Sequence, residues 1–415
     1  MRPKAPPGKR YCKQCPQLLP IHLRVCSHCH APQYTREQLD REDRKRKRDQ
    51  DESSEDEEVL REVRPSQRYE DVLREPNPFA SHLPISIAPC LEGSAPSQSL
   101  TVHIGETSAA LEAGETWVGP ELALMNPAGR VRALAWALHT TPPYFLAAAV
   151  QKDLQELEYG RIYEGQGTIQ IWCFDELTPS LAFSFAHQGK AVYDVKWLPS
   201  YGSHDFLGTL LYTASNGLIA VCNIPMLLSG AYWLEPLETF QVPGLVFQSL
   251  AWLHPANRFA AGSQDGSILV FQSGCSQPVV SIWGAHALPV TALALSYKYN
   301  HLSSCSLDGL LKLWDPCEGS LKDTVCSNKV LSRQRWNYHI AWHPQGDFLF
   351  FDNDGVTSPH KVIKVSGERC LEKKHVSDVS REATLCTVYS THSGYAYIAA
   401  SDGRISAVYL KVSSR

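Results

Sequence analysis

The chain has 415 residues, 43% of them hydrophobic and 10% aromatic, enough for one large domain with accessory segments or for two ordinary ones. A formal net charge of −4 excludes a protein that coats nucleic acid by bulk electrostatics. No stretch approaches the roughly 18 apolar residues of a membrane span, and the opening MRPKAPPGKR lacks the apolar core of a signal peptide, so no membrane partner is expected and the setting is cytosolic or nuclear.

In that reducing setting the 13 cysteines read as thiols, most of them small core residues of strands. Four stand apart, as Cys12-x-x-Cys15 and Cys26-x-x-Cys29 in YCKQCPQLLPIHLRVCSHCH. A Cys-x-x-Cys turn places two thiolates on one side of a knuckle, and two knuckles complete a tetrahedral sulfur site for one structural zinc ion. Four thiolates leave no position for substrate. The ion is expected to hold residues 1–33 folded, because so short a segment buries too little surface alone. Such a module suits contact with nucleic acid or with protein.

Residues 1–48 carry 13 Lys and Arg against 4 Asp and Glu, a balance of +9, while residues 49–75 carry 4 against 11, a balance of −7. The basic run Arg44, Lys45, Arg46, Lys47 and Arg48 reads as a nuclear-import signal, with phosphate contact as a second role. The acidic run behind it holds Ser53 and Ser54 ahead of acidic residues, the setting of an acid-directed kinase site. Blocks of like charge resist packing, so residues 34–80 are expected to form a charged, largely disordered linker. Thr35 and Gln38 predict a capped helix at its start.

From about residue 129 the chain repeats itself. First strands read VRALAW, VYDVKW, FQSLAW, VTALAL, NYHIAW and TLCTVY, and the last four end at 252, 295, 342 and 389. Between later strands stand Asn216-Gly217, Asp265-Gly266, Asp308-Gly309, Asp354-Gly355 and Asp402-Gly403, pairs that predict two-residue hairpin turns with both residues at φ > 0. A period in the forties with three to four strands per unit resembles a WD40 β-propeller. Residues 285–316, AHALPVTALALSYKYNHLSSCSLDGLLKLWDP, carry the likeness most clearly, through His286, Ser306-x-Asp308-Gly309 and Trp314-Asp315. The fold class expected is therefore all-β: a WD40-type propeller of six to seven blades over 81–415. The stretch from about Leu83 to Pro120 would supply a seventh blade or the strand that closes the ring.

His187, His286, Asp194, Asp265 and Asp308 are read as hydrogen-bonding within blades, and Trp136, Trp197, Trp252, Trp314 and Trp342 as core between blades. No Ser-His-Asp spacing, carboxylate pair or phosphate loop stands out, so no catalytic residue and no enzyme is expected.

The order of units is more specific. YFLAAAV is followed by the insert QKDLQELEYGRIYEGQ and then GTIQIWCFDEL; next come AHQGKAVYDVKWLPS, FQSLAWLHPANRFAAGSQDGSILVF, the SLDGLLKLWD unit, YHIAWHPQGDFLFFDNDGV and AYIAASDGRISAVYL. This succession is similar to the propeller of the second-largest (β) subunit of general transcription factor IIIC over roughly 115–410. The resemblance implies a nuclear, non-enzymatic scaffold in RNA polymerase III transcription. Its partners would be the other subunits of the complex, with promoter DNA reached through the N-terminal module. Rival readings are a substrate receptor of a cullin ubiquitin ligase, whose Trp-Asp-x-Arg ending is absent at Trp314-Asp315-Pro316-Cys317, and a chromatin reader.

Overall fold

The computed structural model describes residues 71–79 and, with short interruptions, 107–325, together with strand segments within 9–20, 87–104 and 337–409. The chain divides into two compact units, 1–62 with 412–415 and 63–411. In the smaller unit Lys9–Tyr11 pairs antiparallel with Leu18–Pro20, Tyr11 opposite Leu18. The helix predicted from Thr35 lies outside the described residues.

The larger unit is all-β. Among the described residues it holds six sheets of three or more strands. The first is built on Arg130–Trp136, Tyr144–Gln151, Gln166–Asp175 and Thr178–Gln188. Its outer edge is extended by Gly230–Leu234, parallel to Thr178–Gln188, and then by Ile87–Pro89. The second runs Val192–Trp197, Phe206–Ala214, Ile219–Pro225 and Glu238–Phe240. The third runs Phe247–Trp252, Arg258–Ser263, Ile268–Gln272 and Val280–Ile282. The fourth is Val290–Ser296, His301–Ser306, Leu311–Trp314 and Leu321–Val325. The fifth starts with Asn337–Trp342, and the sixth comprises Thr384–Tyr389, Tyr395–Ala400 and Ile405–Tyr409.

Each sheet's first strand adjoins the first strand of the next, and Thr384–Tyr389 returns to Arg130–Trp136, so the six close a circle. Ala123–Met125 lies alongside Ile405–Tyr409. Ala123–Met125 pairs with Thr116–Val118 and approaches the last sheet without entering its strand order among the described residues. The arrangement is consistent with a β-propeller of six sheets.

Sheets covered on both faces need apolar runs rather than alternation. Phe206–Ala214, FLGTLLYTA, is buried at every position. The core lies between successive sheets. Between the second and third, Phe240, Phe247, Trp252, Phe259 and Phe271 make edge and stacked contacts with centroids 5.1–5.9 Å apart. The tryptophans closing first strands also reach backward by hydrogen bond. Trp197 Nε1 donates to Ala135 O at 3.0 Å, Trp252 Nε1 to Lys196 O at 3.3 Å and Trp342 Nε1 to Ser303 Oγ at 2.9 Å. Each bond joins one sheet to the sheet before it.

Three Asx-Gly turns are described, and they differ from the two-residue hairpins expected; Asp354-Gly355 and Asp402-Gly403 lie outside the described residues. Gly217, Gly266 and Gly309 have φ of 83°, 90° and 78°, but Asn216, Asp265 and Asp308 are not at positive φ. Ser263 N–H donates to Ser267 O and Gly266 N–H to Ser263 O, which encloses three residues rather than two. The acidic or amide side chain is there to cap the turn. Asp265 Oδ1 accepts the Ser267 N–H at 2.9 Å, Asp308 Oδ1 the Leu310 N–H at 2.9 Å and Asn216 Oδ1 the Leu218 N–H at 3.2 Å.

Candidate functional site

The connection from Tyr144–Gln151 to Gln166–Asp175 does not fold back tightly on its own sheet. Its described residues 157, 158 and 160–165 cross the loop end of the neighbouring sheets as a strap. Tyr163 N–H donates to Ser215 O at 2.9 Å, and the Ser215 hydroxyl donates to Tyr163 O at 2.9 Å, which fixes the strap on the turn of the second sheet. Gly189 N–H donates to Gly165 O at 2.8 Å. Farther out, Gly160 N–H donates to Gln264 Oε1 in the turn of the third sheet. Glu158 and Arg161 form an exposed ion pair at 2.8 Å on the outer side.

The strap turns a row of separate hairpin ends into one surface. Ile162 is 51% exposed on it. At the same end, the connection from Val280–Ile282 to Val290–Ser296 leaves Trp283 62% and Leu288 47% exposed. That connection is braced by Gly266, where a Cβ would collide with the His286 carbonyl. A tryptophan held outward on a braced loop end is suited to anchoring a partner.

Beneath this end, the fourth sheet holds a buried polar chain. Trp314 Nε1 donates to Ser304 Oγ at 2.8 Å, Ser304 Oγ lies 2.7 Å from His286 Nε2, and His286 Nδ1 lies 2.9 Å from Asp308 Oδ2. Each side chain in this row has a hydrogen-bond partner within the sheet. Burial raises the Asp308 carboxyl; the His286 bond and charge and the Leu310 and Ala287 N–H groups outweigh it, so the group sits below its ordinary value. The Ser-His-Asp order mimics a nucleophile triad that sequence spacing did not suggest. Ser304 is fully buried and already accepts the indole N–H, so no substrate atom can reach it. These contacts lie within the blade, as the sequence reading of His286 and Asp308 expected.

Strand register shows how the other sheets replace this chain. In the first sheet Pro127, Ala148 and Trp172 take the places of His286, Ser304 and Trp314. Gln170 repairs the loss: its Oε1 accepts the Trp172 indole N–H at 3.1 Å and its Nε2 donates to Pro127 O at 3.0 Å. For the second sheet the set is Tyr212, Cys222 and Asn216, with His187 reaching them from the end of Thr178–Gln188, its ring 5.5 Å from that of Tyr212. Tyr212 bonds Cys222, whose thiol burial pushes up to about 12. His187 Nδ1 bonds Gln188 O at 2.9 Å, and its Nε2 has no hydrogen-bond partner among the described residues. Burial lowers the His187 pKa to about 4. Asp194 stands inside its strand and bridges outward: Oδ2 accepts the Leu250 N–H of the third sheet at 2.8 Å, and Lys196 lies 3.1 Å from Oδ1. Burial nevertheless holds its carboxyl above the usual value.

Cys12, Cys15, Cys26 and Cys29, the basic run Arg44–Arg48, and Ser53 and Ser54 all lie outside the described residues. Among the described residues no group of three His, Cys, Asp or Glu could hold a metal. The strap carries no motif, and only the resemblance drew attention to its insert.

Residues 277–315, from the last strand of the third sheet through Trp314-Asp315, match the family described as WD domain, G-beta repeat. WD repeat-containing protein 1 of Bos taurus is 29% identical over 116 residues, covering 26% of this chain and 19% of that protein. The Rattus norvegicus protein of that name matches to the same extent. The match therefore spans about a fifth of these relatives. The chain therefore carries a WD40-like repeat at 277–315 within an all-β fold consistent with a β-propeller.

Proposed function

We propose that this protein is a non-enzymatic scaffold of a transcription factor IIIC-like complex in the nucleus, assembling other subunits at promoter DNA for RNA polymerase III. WD40 repeats generally serve protein–protein interaction, and the observation that carries the reading here is the strapped loop end with Ile162, Trp283 and Leu288 outward. The strap is the insert that distinguishes the resemblance to the factor IIIC subunit, and it shapes the surface on which partners would dock.

The N-terminal module belongs to the same proposal. Lys9–Tyr11 and Leu18–Pro20 pair, and the connection between them contains Cys12 and Cys15. A paired hairpin whose connection contains Cys12 and Cys15 supports the reading of a zinc knuckle with Cys26 and Cys29 as its other half. Zinc would supply the folding free energy of this short segment. Copurification of the tagged full chain from nuclear extract tests the proposal. Recovery of factor IIIC subunits is expected; recovery of a cullin adaptor without polymerase III factors would replace it with the ligase-receptor reading.

A further inference from the structure

Residues 71–79 lie within the stretch read as linker, yet Val72 and Phe79 are buried. The Phe79 ring enters the groove between the second and third sheets, 6.1 Å from the Trp252 ring and packed with Leu198, Leu211 and Phe259. A closed circuit of hydrogen bonds holds the peptide around it. Asn77 Nδ2 donates to Thr209 Oγ1 at 2.8 Å, and the Thr209 hydroxyl donates to Asn223 Oδ1 at 2.6 Å. Asn223 Nδ2 donates to Phe79 O at 2.9 Å, and Phe79 N–H returns to Asn77 Oδ1 at 2.9 Å. One residue before Pro76, Glu75 Oε1 lies 3.2 Å from His254 Nδ1.

Two observations separate this segment from ordinary core. It adds no strand to either sheet, and both sheets are four-stranded without it. The groove also carries polar groups matched to a peptide. Thr209 and Asn223 are cross-strand partners, both buried, and Asn223 occupies the register position that Asp315 holds in the fourth sheet. There Asp315 caps its own turn through the Cys317 N–H at 2.8 Å; in the second sheet the side chain serves the visiting peptide instead.

We infer that this groove is a peptide-recognition site for an Asn-Pro-Phe segment preceded by an acidic residue, and that Asn77-Pro78-Phe79 is its resident ligand, exchangeable with a matching segment of another protein. Recognition uses the side-chain amide, the buried ring and one backbone carbonyl, the chemistry of a short linear peptide. A resident ligand lowers apparent affinity for a competitor in proportion to its occupancy.

The test titrates a labelled peptide of residues 71–82 into the full-length protein and into the full-length double variant Asn77→Ala, Phe79→Ala. The peptide is expected to bind the variant saturably and at least about tenfold more tightly than the wild type, because the resident segment no longer competes. A peptide carrying the same two alanines should not bind. Equal binding to both proteins, or none to a cooperatively melting variant, overturns the inference. Should the variant fail to fold, hydrogen exchange on the wild type decides. Saturating native peptide should speed exchange at residues 72–79 and the alanine peptide should not; unchanged exchange with both overturns the inference.

Discussion

His187 and Gln170 stand on adjacent strands of the first sheet, and each marks a buried polar atom whose repeat partner is missing. Gln170 solves it for Trp172. Substitution of Gln170 by Leu should orphan the indole N–H and cost about 1–3 kcal/mol in urea unfolding. His187 keeps its bare Nε2 by staying neutral, with its pKa held down to about 4 by burial. The unfolded chain takes up this proton as pH falls below about 6.5, while the folded chain resists until about 4. The stability this group confers is thus full above pH 6.5 and is lost as pH falls toward 4. Between pH 7 and 5 the wild type should lose about 2 kcal/mol that His187→Gln does not lose, read from urea midpoints at the two values. Of this scale the sequence displayed His286 and Asp308, because one repeat kept its pattern. It hid the Gln170 repair, which appears only when strand register shows which residues share a place.

At the scale of the element, the repeat of first strands and Asx-Gly turns made the sheets legible from residue 129 onward. Length and alternation could not separate a two-residue turn from a three-residue one. The difference lies in whether Asp265 supplies φ > 0 or a side-chain cap, and it supplies the cap. The segment at 71–79 was illegible for another reason: Asn77, Pro78 and Phe79 stand in a charged stretch, and their hydrogen-bond partners Thr209 and Asn223 lie 132 and 144 positions away. The terminal tryptophans were recognisable as core, but their backward donation to the preceding sheet was not. Trp197→Phe keeps the ring and removes the bond to Ala135 O. It should lower stability by about 1–2 kcal/mol, measured by equilibrium denaturation, with unaltered circular dichroism in the far ultraviolet.

For the whole molecule, the ring fixes six sheets while the strap and the connection before Val290 give one end a continuous surface. That end leaves Ile162, Trp283 and Leu288 exposed, the residues through which the proposed docking would act. The N-terminal module stands on separate chemistry. Metal analysis of the purified full chain should find one zinc per chain, absent from the Cys12→Ser, Cys15→Ser variant; a metal-free wild type would remove the zinc from the account.

The docking role proposed for the loop end is tested most directly by quantitative mass spectrometry of complexes captured from nuclear extract with the tagged wild type and with Trp283→Ser, Leu288→Ser. Both substituted residues are largely exposed, so melting should be unchanged within about 0.5 kcal/mol. Factor IIIC subunits are expected on the wild type and their loss from the variant. The same partners at the same yield on both proteins, or no factor IIIC subunit on either, would contradict it.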